Sequence, residues 1–270
     1  MRSGLDPDAN ADAAEALIRE AAGRGAALVA TPEMTTLVDR KPRRMFETLT
    51  EGAPPQVARF EALARELRIH LLIGSMATAL DRRPGHRMAA NRSVLFGPAG
   101  RIATYDKVHL FDVELDTGEA WKESSVYRPG AEAVVARAGA ATLGLSICYD
   151  LRFPALYRRL ARAGADVLCV PAAFTVPTGR AHWEVLLRAR AIETGSWVLA
   201  PAQGGAHEDG RVTYGHSMIV DPWGAVAAEL SHDEPGVLLA DLDLARVADV
   251  RARVPALSLE TEPALRTLPA

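Results

Sequence analysis

The sequence predicts an α/β fold of mixed sheets with helices on their outer faces. Three observations predict it. Segments with helical periodicity alternate with short apolar runs of strand length. Three pairs of strand-like runs flank glycine-centred turns, a hairpin signal that strictly alternating parallel units lack. The chain has 270 residues, 49% of them hydrophobic, which supplies a sizeable core. No linker-like shift in composition and no internal repeat divides it, so one domain over residues 1–270 is expected.

The elements follow in order. Asn10 or Asp12 caps a helix carrying Ala14, Leu17, Ile18 and Ala21 on one face, ending at Gly23 or Gly25. Residues 26–30 read as a short buried strand stopped by Thr31-Pro32. Pro54 or Pro55 opens a second helix, with Val57, Phe60, Leu63, Ala64 and Leu67 at helical spacing. Residues 69–75 form a strand. Runs 93–96 and 101–105 enclose Gly97-Pro98-Ala99-Gly100, and runs 133–137 and 142–147 flank Gly139 in the same way. Pro154 starts a helix to about Ala163, and 165–170 is a continuous apolar strand. A helix over 182–194 is followed by a strand over 197–200. Runs 217–220 and 225–229 flank Asp221-Pro222-Trp223-Gly224. A last strand spans 237–241 and a last helix 245–253.

Thirty-one Lys and Arg against 34 Asp and Glu give a net charge of −3, no electrostatic basis for binding nucleic acid or an anionic membrane. The basic clusters Arg40 to Arg44 and Arg158 to Arg162 read as solvated faces. No apolar run has the length of a transmembrane helix, and residues 1–7 carry no secretory h-region. Two cysteines, Cys148 and Cys169, make no disulfide framework, so a cytoplasmic setting is expected. Asn91-Arg92-Ser93 matches the glycosylation pattern by chance in that setting.

Walker, dinucleotide, zincin, Cys-x-x-Cys and nucleophile-elbow serine motifs are all missing, and the seven histidines are scattered. The informative segment is Leu145-Ser146-Ile147-Cys148-Tyr149-Asp150-Leu151-Arg152-Phe153-Pro154. A buried strand ends at a cysteine, and a polar turn precedes a helix. Such a turn offers backbone N–H groups to an oxyanion, although a cysteine there also serves as a small buried hydrophobe. Cys169, inside Val167-Leu168-Cys169-Val170, reads as packing. A nucleophilic cysteine needs a base and an oxyanion stabiliser. Glu33, in Val29-Ala30-Thr31-Pro32-Glu33-Met34, lies just past one strand. Lys107, in Tyr105-Asp106-Lys107-Val108-His109, lies just past another. Taken singly, each charge also suits a solvated strand end. A Cys–His pair with His109 or His216 as base is the rival arrangement.

These three segments resemble the nitrilase superfamily of carbon–nitrogen hydrolases, whose Glu, Lys and Cys stand in this chain order, each at a strand end. The resemblance runs over nearly the whole chain. Pro171-Ala172-Ala173-Phe174-Thr175, residues 182–193 and Tyr214-Gly215-His216-Ser217-Met218-Ile219-Val220-Asp221-Pro222-Trp223-Gly224 look like family blocks. They resemble the Nit branch, the ω-amidases and deaminated-glutathione amidases, and His109-Leu110-Phe111-Asp112 with the Cys148 segment favours the latter.

The resemblance implies a four-layer αββα sandwich of two mixed sheets. It implies pairing into homodimers or higher homo-oligomers, and no metal or cofactor. The activity implied is hydrolysis of a small carboxylate-bearing amide through a thioester. An N-carbamoyl amino-acid hydrolase, a nitrilase on the same fold and a catalytically silent homologue are the alternatives. The implied site is Glu33 as general base, its pKa raised by burial, and Cys148 as nucleophile. Lys107 is the cation beside the oxyanion and also favours the thiolate, and the Tyr149 backbone N–H is a second oxyanion donor. Glu123 matches a second catalytic family glutamate that holds Lys107 and meets the leaving ammonia, with a surface charge as the other reading and Glu114 and Glu119 as neighbouring alternatives. Arg152, Phe174 and Thr175 are the substrate-binding candidates. An arginine fork pairs bidentately with a carboxylate, while a structural bond from Arg152 to Asp150 or Glu184 is the other reading. Family members begin with a buried strand that residues 1–7 do not supply, so the sheet carrying Glu33 is expected to be one strand short.

Overall fold

The structure is a computed structural model and describes residues 1–268 except 51, 82, 84–86 and 115–119. The first half of the chain contains α1 (Pro7–Gly23), β1 (Leu28–Ala30), α2 (Pro42–Thr48), α3 (Gln56–Leu67), β2 (His70–Asp81), β3 (Met88–Gly97), β4 (Gly100–Asp106), β5 (Asp112–Glu114) and β6 (Ala120–Lys122). Then come β7 (Val134–Ala138), β8 (Ala141–Leu145), α4 (Pro154–Arg162), β9 (Val167–Cys169), α5 (Val176–Thr194) and β10 (Trp197–Ala200). The remainder holds β11 (Gly204–Ala206), β12 (Val212–Tyr214), β13 (Met218–Val220), β14 (Val226–Glu229), α6 (Ala245–Arg253) and α7 (Ala256–Leu259).

Two sheets carry the fold. One has the order β1-β2-β3-β4, the other β14-β13-β10-β9-β8-β7, and each mixes parallel and antiparallel neighbours. Strand alternation sorts the side chains into layers. Leu71 and Ile73 of β2 join Phe60, Leu63, Ala11 and Ile18 beneath α3 and α1. Leu72, between them in sequence, joins Leu143, Leu145 and Leu168 of the other sheet. The far face of that second sheet is closed by α4 and α5 through Tyr157, Leu160, Trp183 and Leu187. The result is helices, sheet, sheet, helices: the αββα sandwich. β1 lies at a sheet edge, and among the described residues it pairs with β2 alone. No helix among the described residues is long and apolar enough to cross a membrane.

Several elements differ from the sequence reading. α1 starts at Pro7, because Asp6 caps it by accepting from the Asp8 and Ala9 amides. Asn10 instead ties Gly4 to Thr36. α5 begins six residues earlier than expected, at Val176, where Pro177 suits the first turn. Residues 237–241 form no strand. Leu238, Ala240 and Leu242 pack on the core, so their alternation reflects packing rather than a ladder. The short β5–β6 and β11–β12 pairs and α2 carry too little apolar pattern to be read from sequence. Asn91 lies within β3 and is 1% exposed, so the folded protein offers no glycan acceptor there. Of the basic clusters, Arg44 pairs with Asp39, and Arg158 and Arg162 pair with Glu260.

Gly74 ties the first sheet to the site. A Cβ there would lie 2.0 Å from the Thr31 carbonyl oxygen and 2.5 Å from both Pro32 O and Pro171 Cβ. The chain segments leading to Glu33 and past Cys148 therefore close on β2 only because this side chain is absent. Gly74→Ala should cost about 3 kcal/mol of stability, because two backbone carbonyls cannot yield as a side chain can. A urea melt checks this, and an unchanged midpoint would show that the contact is not limiting.

Candidate active site

Strand ends from both sheets meet at one end of the sandwich. Glu33 follows β1 by three residues, Lys107 follows β4 directly, and Cys148 follows β8 by three. Glu123 opens the 3₁₀ turn after β6. Lys107 still belongs to the ladder through its amide, which donates to Asn91 O at 2.9 Å. Cys148 is anchored likewise, its amide donating to Pro171 O at 2.9 Å. From there the chain turns sharply: Cys148 has φ +48° and Met34, beside Glu33, has φ +54°. Non-glycine residues in this region cost about 1–3 kcal/mol and persist only where their surroundings hold them.

The holding groups are identifiable. Asp150, 0% exposed, accepts from the Ile147 amide at 2.8 Å, Tyr105 Oη at 2.7 Å and the His109 amide at 3.0 Å, and meets His109 Nδ1 at 2.7 Å. It thus fixes the turn from behind. Gln203 does the same for the other turn, its Nε2 donating to Glu33 O at 3.1 Å and Met34 O at 3.3 Å. His109 stacks on Phe153 at 3.6 Å between centroids, and His216 stacks on Tyr214 at 4.0 Å. Neither lines the cavity at the thiol, so the Cys–His reading is corrected: both imidazoles are structural.

The charged centre is compact and buried. Lys107, 2% exposed, donates to Glu33 Oε1 at 2.8 Å and to Glu123 Oε2 at 2.9 Å and Oε1 at 3.2 Å. Asn91 Nδ2 bridges the same carboxylates, 2.9 Å from Glu33 Oε1 and 3.1 Å from Glu123 Oε1. The Phe111 amide closes on Glu123 Oε2 at 2.6 Å. Glu123 is therefore the glutamate at Lys107. Glu114 lies exposed on β5, and Glu119 lies outside the described residues. From the sequence alone Asn91 has no role in this centre, since there it shows only as a glycosylation match just before the 93–96 run.

The Cys148 thiol donates to Glu33, and its sulfur accepts from the Ala173 amide. Lys107 and Asn91 both use Oε1 of Glu33, which leaves Oε2 free of them for a proton. Burial pushes the Glu33 carboxyl up, yet the Lys107 charge with hydrogen bonds from Lys107, Cys148 and Asn91 outweighs it. The carboxyl is held below its ordinary value. Burial pulls Lys107 down, yet Glu123 and Glu33 hold it well above. Burial and the Glu33 charge push the Cys148 thiol well up, against the opposing pull of Lys107. This corrects one expectation, since burial does not raise Glu33 overall. Lys107 does favour the Cys148 thiolate as expected, but burial and the Glu33 charge outweigh it. The low-dielectric interior that penalises lone charges also strengthens the Glu33–Lys107 pair. At rest the site holds a carboxylate, an ammonium and a thiol. Cys169, fully buried in β9, is pushed up to about 12 by burial and is inert packing.

The remaining candidates line one cavity of about 660 Å³ that opens on the thiol: Tyr149, Arg152, Phe174 and Thr175 all border it. Tyr149 is the second residue of the 3₁₀ turn Cys148–Arg152, where backbone N–H groups lack an intrahelical acceptor. Arg152 lies 5.8 Å from the Tyr149 ring centroid and 5.5 Å from that of Phe174, with Nη1 3.2 Å from His182 Nδ1. It binds neither Asp150 nor Glu184; the first is saturated as above and the second pairs with Arg188 at 3.1 Å. Thr175 caps α5 and meets Thr178 Oγ1 at 2.8 Å. No group of three or more His, Cys, Asp or Glu among the described residues is arranged to hold a metal ion.

Comparison with known proteins gives a consistent result. Residues 1–252 match the family described as carbon–nitrogen hydrolase. A deaminated glutathione amidase of Synechocystis is 41% identical over 251 residues, 92% of this chain and 91% of its own. The mouse deaminated glutathione amidase is 42% identical over 245 residues, 88% and 74% of the two chains. Among solved structures, the C. elegans NitFhit protein superposes with TM-score 0.88 at 35% identity, over 96% of this chain and 63% of that longer one. A mutant amidase from Nesterenkonia sp. AN1, with acrylamide added at its active-site cysteine, gives TM-score 0.74 at 28% identity over 96% of each chain.

The charge arrangement makes a signed prediction. Because Glu33 raises the Cys148 thiol, Glu33→Gln should move the pH profile of iodoacetamide alkylation at Cys148 to lower pH. A profile that stays or moves upward would show that Glu33 does not face the thiol as a carboxylate.

Proposed function

The chain belongs to the carbon–nitrogen hydrolase family, and from that premise we propose that this amidase-type hydrolase cleaves a small carboxylate-bearing amide at Cys148 through a thioester. The observation that carries the reading is the contact of one buried carboxylate with both an ammonium and a thiol. Glu33 takes the thiol proton as sulfur attacks the amide carbonyl, so no free thiolate has to be stored in the interior. The oxyanion develops between the Lys107 ammonium and the Tyr149 N–H. Each such preorganised donor is worth roughly 3 kcal/mol in the transition state. Glu33 returns its proton to the departing nitrogen as the C–N bond breaks. It then deprotonates the water that hydrolyses the thioester, which restores the thiol. Glu123 and Asn91 hold Lys107 and Glu33 in register, and Glu123 also borders the cavity, where it can meet the departing nitrogen.

The cavity side supports a carboxylate-bearing substrate. Arg152 stands four residues from the nucleophile, its guanidinium between two aromatic rings and bound to no carboxylate among the described residues. Phe174 and Thr175 complete that wall. The names of the relatives point to deaminated glutathione or a related ω-amide. The same reading carries a cytoplasmic enzyme that pairs into homodimers. Val185 and Ile192 of α5, 68% and 54% exposed, are apolar residues available to such a pairing.

A substrate panel tests the proposal. Amides with an acyl-chain carboxylate should be hydrolysed in preference to nitriles and N-carbamoyl amino acids. Cys148→Ser should abolish turnover while the melt stays unchanged. Turnover retained by Cys148→Ser, or confined to nitriles, would contradict the proposal. Arg152→Lys should raise KM for the carboxylate-bearing amides by about tenfold and spare simple aliphatic amides, since lysine keeps the charge but loses the fork. Equal loss on both would give Arg152 a structural role.

A further inference from the structure

Arg152 is held at the cavity without an acid. It ends the 3₁₀ turn that begins at Cys148, and it borders the cavity with Tyr149 and Phe174. Its guanidinium carbon lies 5.8 Å from the Tyr149 ring centroid and 5.5 Å from that of Phe174. Both rings are themselves braced. Tyr149 meets Phe111 and Phe153 edge-on at 5.1 and 5.4 Å, and Phe174 packs on Trp183 at 4.9 Å. The third contact is polar: Arg152 Nη1 stands 3.2 Å from His182 Nδ1. His182 is exposed on α5 and is not among the described residues that border the cavity.

Chemistry fixes the direction of that bond. A guanidinium has donors only, so Nδ1 of His182 accepts and the ring proton sits on Nε2. A carboxylate in place of the imidazole would also hold Arg152, but it would occupy the fork and cancel the charge. The acids nearest in sequence are engaged elsewhere. Asp150 accepts from the Ile147 and His109 amides, and Glu184 pairs with Arg188 at 3.1 Å. Two rings and an imidazole therefore hold the side chain while leaving its charge and its remaining N–H groups to a ligand. A long side chain ordered in advance loses less freedom when the ligand arrives.

We propose that His182 is a positioning residue for substrate selection: as an uncharged acceptor it fixes Arg152 at the cavity, so that the guanidinium meets a substrate carboxylate already oriented and not neutralised. This rests on the reading of Arg152 as the carboxylate-binding group. His182 acts through Arg152 alone, so it governs which amides bind and leaves the chemistry at Cys148 as it is. The choice of histidine over an acid at this place is what keeps the arginine both fixed and available.

Two aliphatic amides of equal chain length test it, one ending in a carboxylate and one in a methyl group. The readout is the ratio of their kcat/KM values. His182→Leu should lower that ratio by about three- to tenfold, through KM for the carboxylate-bearing amide, the cost of ordering one long side chain on binding. His182→Gln keeps an uncharged acceptor and should hold the ratio near that of the wild-type chain. His182→Glu should pull it closest to one, because its carboxylate takes the guanidinium that the substrate needs. The methyl-terminated amide should be turned over at the wild-type rate in all three, and the exposed position keeps them folded. A ratio unmoved by His182→Leu and His182→Glu, an equal loss on both amides, or a fall in His182→Gln as large as in His182→Leu would overturn the role of His182. Arg152→Lys is measured alongside. A ratio that falls in Arg152→Lys alone leaves the carboxylate reading standing, and a ratio unmoved there as well overturns both.

Discussion

The Glu33–Lys107 ion pair, almost sealed from solvent, is the contact on which the rest of the site depends. Two carboxylates and one ammonium lie within hydrogen-bond reach of each other in the interior. Desolvating each charge costs several kcal/mol, and only close pairing with the remaining valences satisfied offsets it. Each partner therefore brings a structural demand. Asn91 must stand in β3 where it reaches both carboxylates, the Phe111 amide must face Glu123, and Lys107 must leave β4 pointing inward. Stability considered alone would favour apolar residues here. What the pair supplies is chemistry: a carboxylate that stays ionised although buried, beside a thiol that stays protonated.

In the proposed mechanism that division of protons decides how the nucleophile is made. A cysteine activated as a resting thiolate needs an electropositive surrounding. Here Glu33 and burial both oppose thiolate formation, and Lys107 only partly compensates. In the proposed mechanism the thiol is therefore activated when substrate is in place, by the base already bonded to it. The backbone reflects the same requirement. Left-handed residues at Met34 and Cys148 aim the two reacting groups at each other from different sheets, and Gln203 and Asp150 hold those turns from behind. Gly74 lets the two sheet ends approach closely enough for the contact.

Much of this was legible in the sequence, for a definite reason. Long amphipathic helices and apolar strands announce themselves by period, so α1, α3 and the central strands were readable within a few residues, and α5 in all but its first turns. Glu33, Lys107 and Cys148 stand out as strand-end residues, while their grouping and the choice of Glu123 came from the family resemblance. What stayed hidden depends on long-range approach. Asn91 looks like a glycosylation match until β3 carries it between two carboxylates from segments 58 and 32 residues away. Arg40 and Arg211 are distant in sequence and border one cavity that no local pattern encodes. The direction of the Glu33 shift was misread because burial and pairing oppose each other, and their balance is set by a distance that spacing does not give.

If the buried pair and the thiol form one proton-handling unit, removing either charged partner removes most of what the unit does. The direct measurement is a double-mutant cycle on kcat/KM with Glu33→Gln, Lys107→Met and the two combined. The account predicts a loss of several orders of magnitude in each single variant and little further loss in the double. Losses that multiply in full would mean that the two residues act independently, and would contradict it.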